Sequence, residues 1–183
     1  NLENGATLSC KSILNLCLIF KLSHNLKEYF NKDFLNTEDY PILSNLFNNL
    51  YSNKSIIDVV NASILDEHTI SDSASSVLSD IRRKQRKLEQ DIRSKLNSML
   101  RSKYVQESII TVRNNRFVIP VKEEYRSSVK GFVHDISNAG STVFIEPIAV
   151  FEMNNELNKL KMEEELEIER VLQKLSSLFI PYS

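Results

Sequence analysis

The sequence is short of the residues that interrupt or cross-link a chain: three glycines, four prolines, two cysteines and no tryptophan among 183 residues. So few glycines, with long stretches free of proline, argue against a many-turned β protein and for a mainly helical one. Cys10 and Cys17 are seven residues apart. In one helix they would lie about 10 Å apart along the axis, too far for a disulfide, so reduced, buried thiols and a cytoplasmic location are expected. No apolar run approaches the roughly 20 residues that span a bilayer. The longest candidate, residues 13–22, contains Asn15 and Lys21 and reads as a buried helix. There is no initiator methionine and no signal peptide. The formal net charge of -1 carries no global nucleic-acid signature. A phosphate-cradling GxxxxGK[ST] loop, a CxxC pair and an HExxH motif are all missing, so no catalytic residue, metal or cofactor is expected in this stretch.

The residues present organise around one extended segment, 111–147. Val112, Phe117, Ile119 and Val121 stand in two runs of β-branched and aromatic residues separated by Asn114-Asn115, a hairpin signal because Asn tolerates the positive φ of a tight turn. A second pair of runs, 131–136 and 141–145, flanks Ser137-Asn138-Ala139-Gly140. Two antiparallel hairpins are expected; Phe117 and Phe144, if they face the helices, would each hold the sheet to the core by burial of about 1.5 to 3 kcal/mol. His134 and Asp135 are adjacent, so in a strand they point to opposite faces and cannot easily clasp one metal. A hydrogen-bonded structural role is the expectation for them and for Glu146.

Helices flank this segment. The first is expected over 9–30, capped by Thr7 or Ser9, with Leu14, Cys17 or Leu18, Leu22, Leu26 and Tyr29 as its seam. His24 has no partners at metal-ligand spacing. Residues 31–40 read as a polar turn. Pro41 opens a short helix with Leu43, Leu46, Phe47 and Leu50, and Ser55 another with Ile56, Val59, Val60 and Ile64. Residues 66–72 break the pattern. A long amphipathic helix follows over 75–104, with Leu78, Ile81, Gln85, Leu88, Ile92, Lys95 and Met99 as its seam. Between Asp80 and Lys103 it carries nine Lys/Arg against three Asp/Glu. Arg82, Arg83, Lys84, Arg86 and Lys87 are the candidate nucleic-acid-binding residues, because a phosphate backbone is attracted to such a face. A solvated face offset by acidic neighbours is the alternative, since residues 1–79 hold five Lys/Arg against nine Asp/Glu. The last helix, 148–179, has Val150, Met153, Leu157, Leu160, Ile168, Val171, Leu175 and Leu178 as its seam. Its middle is acidic through Glu163, Glu164, Glu165, Glu167 and Glu169. It is expected to project beyond the core or to pair along the basic helix. Asn154-Asn155 reads as a helix-side hydrogen-bonding pair.

The run Arg113-Asn114-Asn115-Arg116-Phe117-Val118-Ile119-Pro120-Val121-Lys122, then Glu124-Tyr125-Arg126, Gly131 with Val133-His134-Asp135, and Gly140-Ser141-Thr142-Val143-Phe144-Ile145-Glu146-Pro147 closely resembles the core segment of MutS proteins, specifically the bacterial MutS-two branch. The similarity extends to Gly5-Ala6-Thr7-Leu8-Ser9, to Asp72-Ser73-Ala74-Ser75 and to Asn154-Asn155-Glu156-Leu157, and covers nearly the whole chain. At His68 the family usually has a glycine, so the turn there is expected to be shaped differently. The resemblance implies a core domain over 1–147, mainly α with a small β element at 109–146, followed by the start of a lever or clamp helix over 148–183. Arg116, Pro120, Gly131, His134, Asp135, Gly140, Glu146 and Pro147 would form its structural hub. It implies a piece of a larger, homodimeric DNA-binding ATPase that uses ATP and Mg, often with a nuclease domain. Such proteins are associated with suppressing homologous recombination through branched DNA and with sensing and splitting collided ribosomes. The alternative from another class is a helical spacer that transmits motion without touching nucleic acid.

Overall fold

A computed structural model describes residues 6–32 and 40–182, with the side chains of residues 31 and 32 excepted. Gly5 and most of the polar turn expected over 31–40 lie outside the described residues. The elements are α1 (Cys10–Lys32), α2 (Pro41–Asn48), α3 (Lys54–Ser63), α4 (Ser76–Met99), β1 (Thr111–Arg113), β2 (Arg116–Lys122), β3 (Gly131–Ile136), β4 (Thr142–Pro147) and α5 (Ile148–Ser177). The fold is mainly helical with one four-stranded antiparallel sheet, and α5, at 30 residues, is its longest helix. None of the described helices is long and apolar enough to cross a membrane. The chain forms two compact units, Asn1–Ser79 with Leu166–Ser183, and Asp80–Glu165. This division falls inside α4 and α5.

In the first unit, Ile13, Cys17 and Phe20 of α1 pack with Ile56, Ile57 and Val60 of α3 and with Val171, Leu175 and Phe179. Ser9 supplies the cap of α1, its Oγ accepting from the Ser12 amide at 3.2 Å. The seam expected for α1 is corrected: Leu18, Leu22, Leu26 and Tyr29 are exposed, and the inward face runs through Cys10, Ile13, Cys17, Phe20 and Phe30. The helix carries apolar residues on more than one face, so spacing alone does not select the buried one. Pro41 opens α2, which buries none of its residues; Phe47 stacks on Phe30 with ring centroids 4.4 Å apart. Helix α3 starts one residue earlier than expected because Asn53 caps it, its Oδ1 accepting from Ile56 N at 3.2 Å. Val59 points out.

The turn containing His68 needs no positive φ: among the described non-glycine residues only Asn114 and Asn115 have one. It closes instead through Leu65 N to Thr69 O at 2.9 Å and through the Asp66 carboxylate, which accepts from His68 N at 2.8 Å. That amide, together with Thr69, holds the Asp66 carboxyl below the usual range. Ser75 caps α4, its Oγ accepting from Val77 N, and donates to buried Glu167 at 2.6 Å.

In the second unit, α4 contributes Ile92 and Leu96 to a core completed by Phe117, Ile119, Val121, Val143, Ile145, Val150 and Leu157. Lys95, expected in the α4 seam, is exposed, and Leu96 takes the inward position. The helix ends at Met99, not near residue 104. Both hairpins form as expected. Asn114 and Asn115 have φ of 51° and 60°, the pair of left-handed residues that a type I′ turn requires, and Gly140 has φ of 72°. The strand order is β1-β2-β4-β3. Phe117 is buried as expected. Phe144 is on the opposite face from Val143 and Ile145, beneath the Arg113 guanidinium at 4.2 Å, so it does not pack on the helices.

Candidate functional site

Strand β4 runs into α5 with no intervening residue, Pro147 ending one and Ile148 starting the other. Proline fits here because its fixed φ suits the approach to a helix while it biases Glu146 to an extended shape. It also ends the ladder. The register pairs Ile119 with Ile145, so two residues further on Phe117 would face Pro147, which has no N–H to give. Asn154, one turn and a half into α5 and fully buried, takes over. Its Oδ1 accepts from Phe117 N and its Nδ2 donates to Phe117 O, both at 3.1 Å.

The same Asn154 amide donates to Glu146 Oε1 at 2.7 Å. Glu146 is completely buried, and its other oxygen receives Arg116 Nε and meets His134 Nε2, each at 2.7 Å. Arg116 also donates to Asn155 Oδ1 at 2.7 Å and to the Phe151 carbonyl at 3.3 Å, and lies over the Phe151 ring. A buried carboxylate without such partners would be prohibitively desolvated. Here β2, β3, β4 and α5 converge on it. His134 reaches Glu146 because of a bulge: Val133 pairs with Ile145 and Asp135 with Phe144, leaving His134 without a partner of its own. Contrary to the opposite faces expected for this adjacent pair, the bulge leaves Asp135, paired with Phe144, on the face that carries Glu146, where it accepts from Arg113 Nε at 3.0 Å, while Asn114 Nδ2 donates to the His134 carbonyl. These two contacts tie the edge strands β1 and β3 together.

The remaining hub residues have separate reasons. Gly131 is required by close approach, since a Cβ there would fall on the Glu146 carbonyl oxygen. Pro120 sits inside β2, but its carbonyl accepts from Gln106 N. Its missing N–H therefore faces residues 104–106, and the ladder to β4 is intact. The sequence points to Arg116 and Glu146 but not to the bridge that Asn154 makes between Glu146 and Phe117. The signal was Pro147 in register with Phe117, which becomes visible only once the hairpins are aligned.

The candidate cations on α4 divide. Arg82 is turned inward, its Nε 2.7 Å from Glu164 on α5, and Gln85 beside it donates to Glu164 and to the Leu160 carbonyl. The acidic middle of α5 thus pairs with the basic helix at this point. Arg83, Lys84, Arg86 and Lys87 are exposed. Arg83 makes a surface pair with Asp80 at 2.8 Å, and Arg86 has an interaction of its own. Lys84 and Lys87 border a shallow groove of about 280 Å³ with Leu88, Asp91, Glu156 and Leu160. Among the described residues no three His, Cys, Asp or Glu side chains come together as metal ligands would. Burial pushes both free thiols, Cys10 and Cys17, above the ordinary thiol range.

No family model matches the chain. Curated proteins do. It is 46% identical over 178 residues to Endonuclease MutS2 of Clostridioides difficile, covering 95% of this chain and 22% of that protein. The chain is homologous to MutS2. The MutS2 of Acetivibrio thermocellus is 44% identical over 178 residues, with the same coverage, and that of Alkaliphilus metalliredigens 40% identical over 185 residues, 99% of this chain and 23% of the relative. The chain therefore spans less than a quarter of the length of the MutS2 relatives it matches. The clustered Glu146, Arg116, His134 and Asn154 and the exposed α4 cations all lie within the matched length.

Proposed function

We propose that this stretch of a MutS2-type protein carries a stiff, phosphate-binding arm that lies against the backbone of branched or double-stranded DNA without reading sequence. The observation that carries this reading is the exposed row Arg83, Lys84, Arg86 and Lys87 on α4. Positions three and four apart share a helix face, so these side chains offer a line of cations at the spacing of one turn. Such contacts suit phosphates and position a protein on nucleic acid rather than specify a base. The relatives' name, endonuclease, supports a nucleic-acid substrate. The buried Glu146 cluster supports stiffness, because it fastens three strands to α5 at the root of that helix. In this reading the β element and the adjoining parts of α4 and α5 form the clamp end of the lever. ATP and Mg binding, ATP hydrolysis and strand cleavage belong to portions of the protein beyond residues 1–183, and a homodimer presents two such arms.

The test uses the full-length protein with Arg83, Lys84, Arg86 and Lys87 all replaced by Gln, its fold checked by circular dichroism. Affinity for a four-way DNA junction is expected to fall about tenfold or more at moderate salt. A loss seen only with ribosomes would move the substrate to ribosomal RNA. Undiminished affinity for both in a folded variant would favour the spacer reading.

A further inference from the structure

Helix α1 has a second apolar face that none of the described residues covers. Leu18, Ile19, Leu22, Leu26 and Tyr29 are between 47% and 64% exposed. At about 100° per residue these five positions fall within an arc of about 100°, on the side opposite the arc formed by Cys10, Ile13, Cys17 and Phe20, which is buried against α3 and α5. A helix apolar around most of its circumference is a helix buried on most sides. The neighbouring α2 adds to the uncovered surface: Ile42, Leu43 and Leu46 are exposed, while Phe47 stacks on Phe30 of α1. A patch of this kind exceeds the singly scattered apolar residues of an ordinary surface.

We infer that the face of Leu18, Leu22, Leu26 and Tyr29 is the seat of an amphipathic helix supplied by the same polypeptide from beyond residues 1–183. Three observations select that occupant. First, the steps of four, four and three residues along α1 fit the apolar stripe of a facing helix. Second, the face spans only 12 positions, about 16 Å, which is fewer than two heptads. A coiled-coil seam is recognised over three or more heptads, so this stripe is not one, and a single facing helix of similar length matches it. Third, the MutS2 relatives are more than four times as long as the matched stretch, so the family polypeptide has ample chain to supply the partner. Asn15 and Asn25 flank the face, and Lys21 is engaged with Asn61 at 2.8 Å. A partner held by apolar burial alone resembles the inside of a domain more than a transient interface.

The experiment places the photo-crosslinking residue benzoylphenylalanine at position 22, and separately at 26, in the full-length protein. Each variant is mixed with an equal amount of nitrogen-15-labelled protein before irradiation, and the linked peptides are read by mass spectrometry. The expected result is a link from both positions to one helical peptide beyond residues 1–183, with both halves carrying the same isotope. Links between light and heavy copies, links only to residues 1–183, or no link at either position would overturn the inference.

Discussion

Asn154 does at this point of the sheet what a strand residue cannot. With Pro147 opposite Phe117, the peptide of Phe117 would be left without a donor for its carbonyl or an acceptor for its amide, and one buried carboxamide provides both while also donating to Glu146. Replacing Asn154 by Ala leaves buried groups unsatisfied at about 1–3 kcal/mol each. We expect Asn154→Ala to lower the urea midpoint of the full-length protein's transition that reports on the β element by more than Asn155→Ala, whose partner Arg116 keeps Glu146 and Phe151. Equal midpoints for the two variants would contradict this. The thiols make a second residue-scale expectation. Burial favours the neutral thiol of Cys10 and Cys17, and only the thiolate is alkylated. Iodoacetamide should therefore modify both slowly in the native protein at pH 8 and rapidly in urea, with the native rate rising further as pH is raised above the ordinary thiol range. Native and unfolded rates that coincide at pH 8 would count against the burial.

At the scale of elements, the joint between β4 and α5 is the informative one. Pro147 removes flexibility where a strand becomes a helix, and Ile148 N donates to the Lys130 carbonyl at 3.1 Å, so the first turn of α5 is also held by the segment before β3. If nucleotide-driven movement travels along α5, Pro147→Gly should leave the fold intact and shrink the nucleotide-dependent change in distance between a probe on the β element and one at the far end of α5. Equal changes in wild type and variant would show that this joint does not transmit the signal. Both hairpins were legible in the sequence because their determinants are local: two Asn residues able to take positive φ, and Gly140. The inward face of α1 was not, because Leu18, Leu22 and Leu26 repeat as regularly as Ile13, Cys17 and Phe20, and only contact with α3 and α5 distinguishes them. Lys95 and Leu96 were exchanged for a related reason: once an α-helix drifts from a three-four alternation, the seam moves by one residue. The bulge at His134 depends on cross-strand register, which adjacent residues do not encode.

At the scale of the whole molecule, the two units hold different kinds of core. One is packed almost wholly from helices; the other gathers a sheet and two helix segments around apolar residues on one face and the Glu146 cluster on the other. The similarity to MutS2 covers both, and all eight residues named as a structural hub sit in the segment that carries the resemblance. Their wiring was not legible in the sequence, since Arg116, His134, Glu146 and Asn154 come from four elements. Of the five cations singled out on α4, the sequence could not show that Arg82 is committed to Glu164 on α5. The proposal that Arg83, Lys84, Arg86 and Lys87 contact phosphates is tested most directly by the salt dependence of DNA binding. Each phosphate contact to duplex DNA adds about 0.9 to the slope of log affinity against log salt concentration. Measured on full-length wild type and the variant with all four replaced by Gln, the slope should become shallower by about two to four. Parallel lines for the two proteins would contradict the account.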